Sequence, residues 1–334
     1  MKKILITGAS GFVGGFLVEE ALNRNYEVYA GIRKSSNRKY LTNPNIRFFE
    51  LDFTDKESIK EKLTLQKKES GAFDYIIHNA GVTKTCKKTD FEKVNFQNTK
   101  NFIEALFETA SVPDKFIYIS SLAAYGPGNE KNMQPIKVTD TPRPISLYGK
   151  SKLKAEQYIK SLSKFPYLIF RPTGVYGPRE KDYYVMYKSI NQGLETYIGT
   201  PEQHITFIYV KDFACLVFDG FKSSISGKSY FVSDLKEYTA EEFNTIVKEV
   251  LNKKTIRIVF PKALVKSLAF LSEKFSCVFG KIPTLNTEKY KEISCANWLC
   301  ESSRIVKDFN FLPKYDLEKG LRETIEWYKK EGLL

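Results

Sequence analysis

The sequence predicts an α/β protein built on a doubly wound parallel sheet, with a smaller C-terminal substrate lobe. Three observations predict it. Short apolar runs alternate with helical patterns through the first half of the chain. A glycine turn, Gly8, Gly11 and Gly14, follows the first of those runs. Beyond about residue 172 the rhythm changes, and proline, glycine and aromatic residues cluster through Pro178–Thr200. Such alternation places helices on both faces of a parallel sheet whose ligands bind at the strand C-terminal ends.

Ile4–Thr7, Glu27–Ile32, Ile46–Glu50, Tyr75–His78 and Phe116–Ser120 read as strands, separated by stretches long enough for crossover helices. Leu168–Arg171 and Phe207–Val210 are expected as further strands, the second returning with its following helix to the main sheet. A dinucleotide-binding domain is therefore expected over residues 1–172 and about 205–232, and the substrate lobe over about 173–204 and 233–334. In the lobe, Leu264, Val265, Leu268, Leu271, Phe275, Val278 and Phe279 fall on one side of a helical wheel. Lys262, Lys266 and Lys274 lie mostly elsewhere, and Pro261 suits the first turn. The expectation is a helix packed on the lobe's own core. The sharper alternative is a lid over a long apolar substrate, touching a membrane surface.

The 334 residues are 42% hydrophobic and 27% charged, enough apolar material for a large core. Met1-Lys2-Lys3 has the charge of a signal-peptide start, but the apolar run that follows is far too short and ends in the glycine turn. A cytoplasmic protein is expected. Cys86, Cys215, Cys277, Cys295 and Cys300 are odd in number and scattered, and only His78 and His204 could join them. That argues against a metal site and against a disulfide framework. The net charge of +13 reads first as a lysine-rich surface. No nucleic-acid motif accompanies it, so no nucleic-acid partner is expected; an anionic substrate or a membrane surface is left open.

Thr7-Gly8-Ala9-Ser10-Gly11-Phe12-Val13-Gly14 follows a strand and opens a helical pattern. Glycines there allow a tight turn, let backbone approach a pyrophosphate and let helix pack on strand, while the helix N-terminus offers free N–H groups to phosphate. This is a Rossmann-type fingerprint. NAD binders usually end the second strand with an acid that bonds the ribose hydroxyl. Here that place falls near Ile32 and is followed by Arg33-Lys34-Ser35-Ser36. A cation in place of an acid suits the 2′-phosphate of NADP(H), with NAD(H) the lesser reading.

The chemistry is carried by Tyr148-Gly149-Lys150-Ser151-Lys152, downstream of Ser120-Ser121. Tyr148 and Lys152 lie one helical turn apart on one face. A free tyrosine has a pKa of ~10, and a nearby ammonium together with an oxidised nicotinamide favours the phenolate. Tyr148 is thus the expected proton donor or acceptor at a carbonyl or alcohol oxygen, Lys152 the group that lowers its pKa and holds the nicotinamide ribose. Ser121 is the expected hydrogen-bond partner of the same substrate oxygen. The three are the expected catalytic residues.

In these segments the chain resembles the extended branch of the short-chain dehydrogenase/reductase superfamily, the NAD-dependent epimerase/dehydratase family. The resemblance covers nearly the whole chain and rests on Thr-Gly-x-x-Gly-x-x-Gly at residues 7–14, Asp52 after the third strand, Asn79-Ala80-Gly81, Tyr118–Ser121 with Tyr125-Gly126, Arg171–Pro178 and Tyr209–Asp212. It implies that Asp52 and Phe53 border the adenine, and that Asn79, Ala80, Gly81, Pro172, Thr173 and Val175 line the cofactor. Val82, Ala123, Gly174, Tyr183 and Tyr184 join Ser121 as expected substrate contacts. Asn95 is expected to shape its helix, His78 to be a core or cleft-side histidine, and Asp212 to tether a loop or cap a helix. A homodimer through a helix pair that includes Tyr148–Lys160 is also implied.

Within the branch, nucleotide-sugar epimerases and dehydratases typically pair NAD with an acid on the second strand, and many carry an Asn where this chain has Thr173-Gly174. Arg33 and Thr173 instead look like the dihydroflavonol-reductase and 3β-hydroxysteroid-dehydrogenase side. The leading expectation is therefore reduction of a ketone on a hydrophobic substrate, with 3-ketosphinganine as the sharpest case. A nucleotide-sugar epimerase, dehydratase or reductase is the alternative. A non-catalytic NADP(H)-binding sensor or scaffold ranks last, because Ser121, Tyr148 and Lys152 are all retained.

Overall fold

The computed structural model describes residues 1–200, 202–279 and 283–334. Six parallel strands, β1 (Lys3–Thr7), β2 (Glu27–Ile32), β3 (Arg47–Glu50), β4 (Tyr75–His78), β5 (Lys115–Ile119) and β6 (Tyr167–Pro172), form most of a seven-stranded sheet. Lys228–Val232 adds the seventh strand beside β6. The order is Lys228–Val232, β6, β5, β4, β1, β2, β3, so successive strands step away from β1 on one side and from β4 on the other. The topological switch point lies between β1 and β4, where ligands of open α/β sheets bind.

β1 shows why the sheet is covered on both faces. Ile4 and Ile6 join one apolar cluster with helix α1 (Phe12–Asn23) and the helix Val210–Lys222. Leu5 joins the other, with the helices Lys56–Ser70, Asn98–Glu108 and Leu147–Ser161. Successive side chains of a strand point to opposite faces, and both faces here are apolar.

Phe207–Tyr209 departs from expectation. It pairs in parallel with Gly174–Tyr176 in a separate two-stranded sheet, and only its following helix returns to the main sheet. The chain leaves β6 at Pro172, Thr173 N donates to Val232 O (3.1 Å), and Gly174 N then reaches Thr206 O (3.3 Å). The edge position beside β6 belongs instead to Lys228–Val232, whose polar first half hid it. A third apolar cluster, with Tyr176, Tyr187, Phe207, Phe243, Leu321 and Tyr328 at its centre, holds the C-terminal part together.

The helix Lys262–Val278 forms where expected, but its apolar side does not pack on a core. Only Val265 and Ala269 are buried in it, while Leu264, Leu268, Leu271, Phe275, Val278 and Phe279 are exposed.

Candidate functional site

The glycine turn closes over the end of β1. Gly8 has φ +66°, and Gly11 N donates to Gly8 O (3.0 Å). A Cβ on Gly14 would stand 2.0 Å from Gly8 O, so only glycine lets α1 start this close to the strand. Gly11 caps α1 without any side-chain acceptor. The first-turn N–H groups around Phe12 and Val13 are therefore available to an anion, with Ser10 half-buried beside them. Thr7 does not join them. Its hydroxyl is fully buried, bonds His78 Nδ1 (2.9 Å) and accepts from Asn79 N (3.2 Å) and Ala80 N (3.1 Å), so it fastens the end of β4 to β1.

His78 is a core residue, stacked on Phe102 and Tyr118 and bonded through Nε2 to Thr99 Oγ1 (3.0 Å). Burial, with the Lys152 charge, lowers its pKa to about 3 and keeps it neutral.

At the far end of the turn, Arg33 and Lys34 are exposed just past β2. Arg33 N donates to Ser36 Oγ (3.0 Å) and Ser36 N to Arg33 O (2.9 Å), which shapes a short basic turn. Asp52 faces it from the end of β3. Hydrogen bonds from the Thr54 hydroxyl (2.7 Å) and N–H (3.0 Å) hold its carboxyl below the usual range, with smaller help from Lys93 and Arg33. The Phe53 ring turns inward against His78 and Phe102.

Tyr148 sits at the second position of the helix Leu147–Ser161, whose N-cap Ser146 accepts from Gly149 N (3.0 Å). Ser121 caps a single 3₁₀ turn, Leu122–Ala124, accepts from Ala123 N (3.2 Å), and lies beside the Tyr148 phenol, whose pKa it lowers. Ser120 points away: its hydroxyl donates to Glu156 Oε1 (2.5 Å), which also accepts from Arg171 Nε (2.8 Å). Of the adjacent pair, Ser121 is the one that faces Tyr148.

The electrostatics differ from expectation. Burial pushes the Tyr148 phenol well above its ordinary pKa; the Ser121 hydrogen bond pulls it back and the Glu292 charge raises it further. Lys152, expected to hold it down, directs Nζ at Ile119 O (2.9 Å) and over the Tyr118 ring. Burial lowers Lys152 to about 8, partly offset by Glu156 one turn on.

Asn95 is a clamp. Fully buried, it accepts from Val82 N (2.8 Å) and donates to Val82 O (3.0 Å) and Ser151 Oγ (3.0 Å), tying the Asn79–Val82 loop to the Tyr148 helix. A Cβ on Gly81 would lie 3.3 Å from Lys152 Nζ, so this loop borders the ammonium directly.

On the lobe side, the Thr173 Oγ1 is buried without a hydrogen-bond partner, and a Cβ on Gly174 would meet the Tyr183 hydroxyl at 2.5 Å. Tyr183 packs edge-on to Phe207. Tyr184 is not at the site: it stacks on Tyr328 and donates to Leu333 O (2.8 Å). Asp212 accepts from Lys314 N and Tyr315 N (2.9 Å each), tethering a loop.

The sequence reading missed the helix Thr287–Ile293. Its Glu288 accepts from Leu147 N (2.6 Å) and its Glu292 from Ser146 Oγ (2.6 Å), placing two carboxyls at the N-terminus of the Tyr148 helix. Glu288, Lys289 and Glu292 are visible as a charged segment, but nothing local says what it docks on. Lys289 reaches Asp182 (3.0 Å), which also pairs with Lys84.

Glycine cradle, switch point and the Ser121–Tyr148–Lys152 cluster together define a protein built for nicotinamide-dinucleotide chemistry. The chain belongs to the NAD dependent epimerase/dehydratase family, whose model matches residues 4–219. It is 26% identical, over 97% of its length and 94% of the relative's, to the N-acetyl-α-D-glucosaminyl-diphospho-ditrans,octacis-undecaprenol 4-epimerase of Escherichia coli O157:H7. It is equally 26% identical, over 98% of both chains, to the UDP-N-acetyl-α-D-glucosaminuronate decarboxylase of Bacillus cytotoxicus. The fold matches the crystal structure of the Thermus thermophilus UDP-glucose 4-epimerase in complex with NAD, with TM-score 0.76, 21% identity and 98% and 99% of the two chains covered.

Proposed function

We propose that this protein is a nicotinamide-dependent epimerase acting on a secondary alcohol of a sugar carried on a diphosphate. The observation that carries the reading is the Ser121–Tyr148–Lys152 cluster, with the Ser121 hydroxyl beside the Tyr148 phenol and Lys152 buried one helical turn further on. The cradle fits a dinucleotide: Gly8, Gly11 and Gly14 leave room for the pyrophosphate, and the uncapped start of α1 supplies N–H groups. A bound nicotinamide would supply reversible hydride transfer at the sugar carbon, which allows inversion with no net oxidation. Tyr148 would take the alcohol proton and later give it back. Ser121 holds the oxygen in place while the proton moves.

The substrate class draws on the epimerase and decarboxylase relatives named above, which act on diphosphate-linked sugars, and it replaces the hydrophobic ketone as our reading. The basic turn at Arg33 supports NADP(H) at the adenosine end.

The test incubates the protein with NADP or NAD and UDP-N-acetylglucosamine, UDP-glucose or the undecaprenyl-diphosphate-linked sugar, and follows the sugar by NMR. An epimer from one of these, lost in Tyr148→Phe with cofactor binding retained, is the expected result. Reduction of 3-ketosphinganine with all sugars inert would overturn the reading.

A further inference from the structure

We propose that the helix Lys262–Val278 docks on an anionic lipid bilayer and delivers the site to a sugar whose diphosphate carrier is embedded there. Docking stands on its own observations; only the identity of the carrier rests on the sugar reading above.

The helix divides into three sectors. At ~100° per residue, Leu264, Leu268, Leu271, Phe275, Val278 and Phe279 share an arc of ~100°. Each is between 46% and 81% exposed, whereas Val265 and Ala269, on another side, are buried. Phe275 and Phe279 lie side by side, with ring centroids 6.2 Å apart. A contiguous apolar surface of this size marks an interaction site rather than a solvated face.

Charge selects the occupant. Lys274 borders the apolar arc, Lys266 lies on the far side of the helix and Lys262 stands at its start, all exposed. The helix's one acid, Glu273, is turned inward: it accepts from Thr287 N (2.9 Å) and Oγ1 (2.5 Å) and pairs with Lys88 (3.4 Å). Outward, among the described residues, the helix shows apolar and positively charged groups and the neutral Ser267 but no acid, within a chain of net charge +13. Leucine and phenylalanine on one face with lysine beside them suit an interfacial helix on anionic lipid. No helix among the described residues is long and apolar enough to cross a membrane.

Position connects the helix to the chemistry. Glu273 is bonded to Thr287, the first residue of the helix Thr287–Ile293, and Glu288 and Glu292 of that helix are bonded to Leu147 and Ser146 beside Tyr148. Lys88, on the other side of Glu273, continues the loop that begins at Asn79. One short helix and one loop therefore separate the docking face from the reacting phenol.

The test is co-sedimentation of the whole protein with phosphatidylcholine vesicles, with and without phosphatidylglycerol. Wild type is expected to bind the anionic vesicles in a salt-sensitive way. Leu271→Glu/Phe275→Glu should weaken that binding about tenfold or more, and Lys266→Glu/Lys274→Glu should remove its preference for phosphatidylglycerol. Circular dichroism confirms that both variants are folded. Absence of wild-type binding, or equal binding by the Leu271→Glu/Phe275→Glu variant, overturns the proposal. So does a wild-type dimer in light scattering that Phe275→Glu converts to monomer, since the face then belongs to a second copy. Turnover of a UDP-linked sugar should be unchanged in these variants, while turnover of a vesicle-borne undecaprenyl-diphosphate sugar should fall. Vesicle binding with no sugar turnover at all would refute the sugar reading and leave docking in place.

Discussion

Gly149 lies so close to Ala123 that a Cβ on the glycine would stand 2.1 Å from the alanine carbonyl oxygen. This contact seats the Tyr148 helix on the 3₁₀ turn that presents Ser121, and so sets the spacing of the two hydroxyl groups. Gly149→Ala must push helix and turn apart, because the opposing atom is backbone. A displacement of about 1 Å at a reacting group costs on the order of 100-fold in rate. We expect kcat to fall by that factor while cofactor affinity, to which the glycine cradle contributes from a separate element, is largely retained. Steady-state kinetics with cofactor fluorescence titration checks both, and a wild-type kcat would refute the role given to this contact.

Beneath the site, Arg171 donates to both Glu156 oxygens (2.8 and 2.6 Å), and neither side chain is exposed. Removing one partner of a buried pair strands the other charge and costs about 3–5 kcal/mol. Glu156→Ala should therefore lose most of the stability of the domain in urea denaturation. Ser120→Ala, which leaves the pair intact, should lose only about 1 kcal/mol. Similar losses for the two would show that the ion pair is not what holds β5, β6 and the Tyr148 helix together.

The parts of this molecule legible in sequence are those whose physics is local. Gly8, Gly11 and Gly14 announce a turn because only glycine fits it, and β1, β2, β4 and β5 announce themselves as buried apolar runs. Tyr148 and Lys152 share a helix face by spacing alone. What spacing could not show was direction. It placed Lys152 beside Tyr148 but not its Nζ on Ile119 O, and it could not show the Thr7 hydroxyl bonded to His78 and to the backbone after β4. Lys228–Val232 was hidden because its burial comes from β6, a partner far away in sequence. For Lys262–Val278 the sequence left core packing and a lid both open, because an apolar helical stripe looks the same whether protein or something else covers it.

Arg33 carries the question of cofactor preference. It is exposed at the end of β2 in a turn closed by Ser36, opposite Asp52. A guanidinium there gains charge-assisted bonds only from a 2′-phosphate. Arg33→Ala should weaken NADPH binding by about 1.5–3 kcal/mol, roughly 10- to 100-fold, and leave NADH within about threefold. Isothermal titration with both cofactors reads this, and equal losses would sink the 2′-phosphate assignment.

Lys152 links activity to pH and opposes stability. Burial lowers its pKa from 10.5 to about 8 in the folded protein. Below about 8 both states hold the proton, and the folded state carries the full cost of a buried ammonium. Between about 8 and 10.5 the unfolded chain binds a proton that the folded one lacks, so stability rises with pH across that window. Lys152→Met removes the buried charge. It should stabilise the protein at pH 7 by about 1–3 kcal/mol, less whatever is lost by stranding the Ile119 carbonyl, and the advantage should shrink as pH climbs through the window. Turnover should show the opposite dependence: absent in Lys152→Met, and falling in wild type above about pH 8 as the ammonium that faces the Gly81 loop loses its proton. Thermal melts of both proteins from pH 6 to about 10, read beside the pH–rate profile, check the two together. A wild-type rate that stays level through that range would separate Lys152 from the chemistry, while a stability advantage independent of pH would place its cost in packing rather than charge.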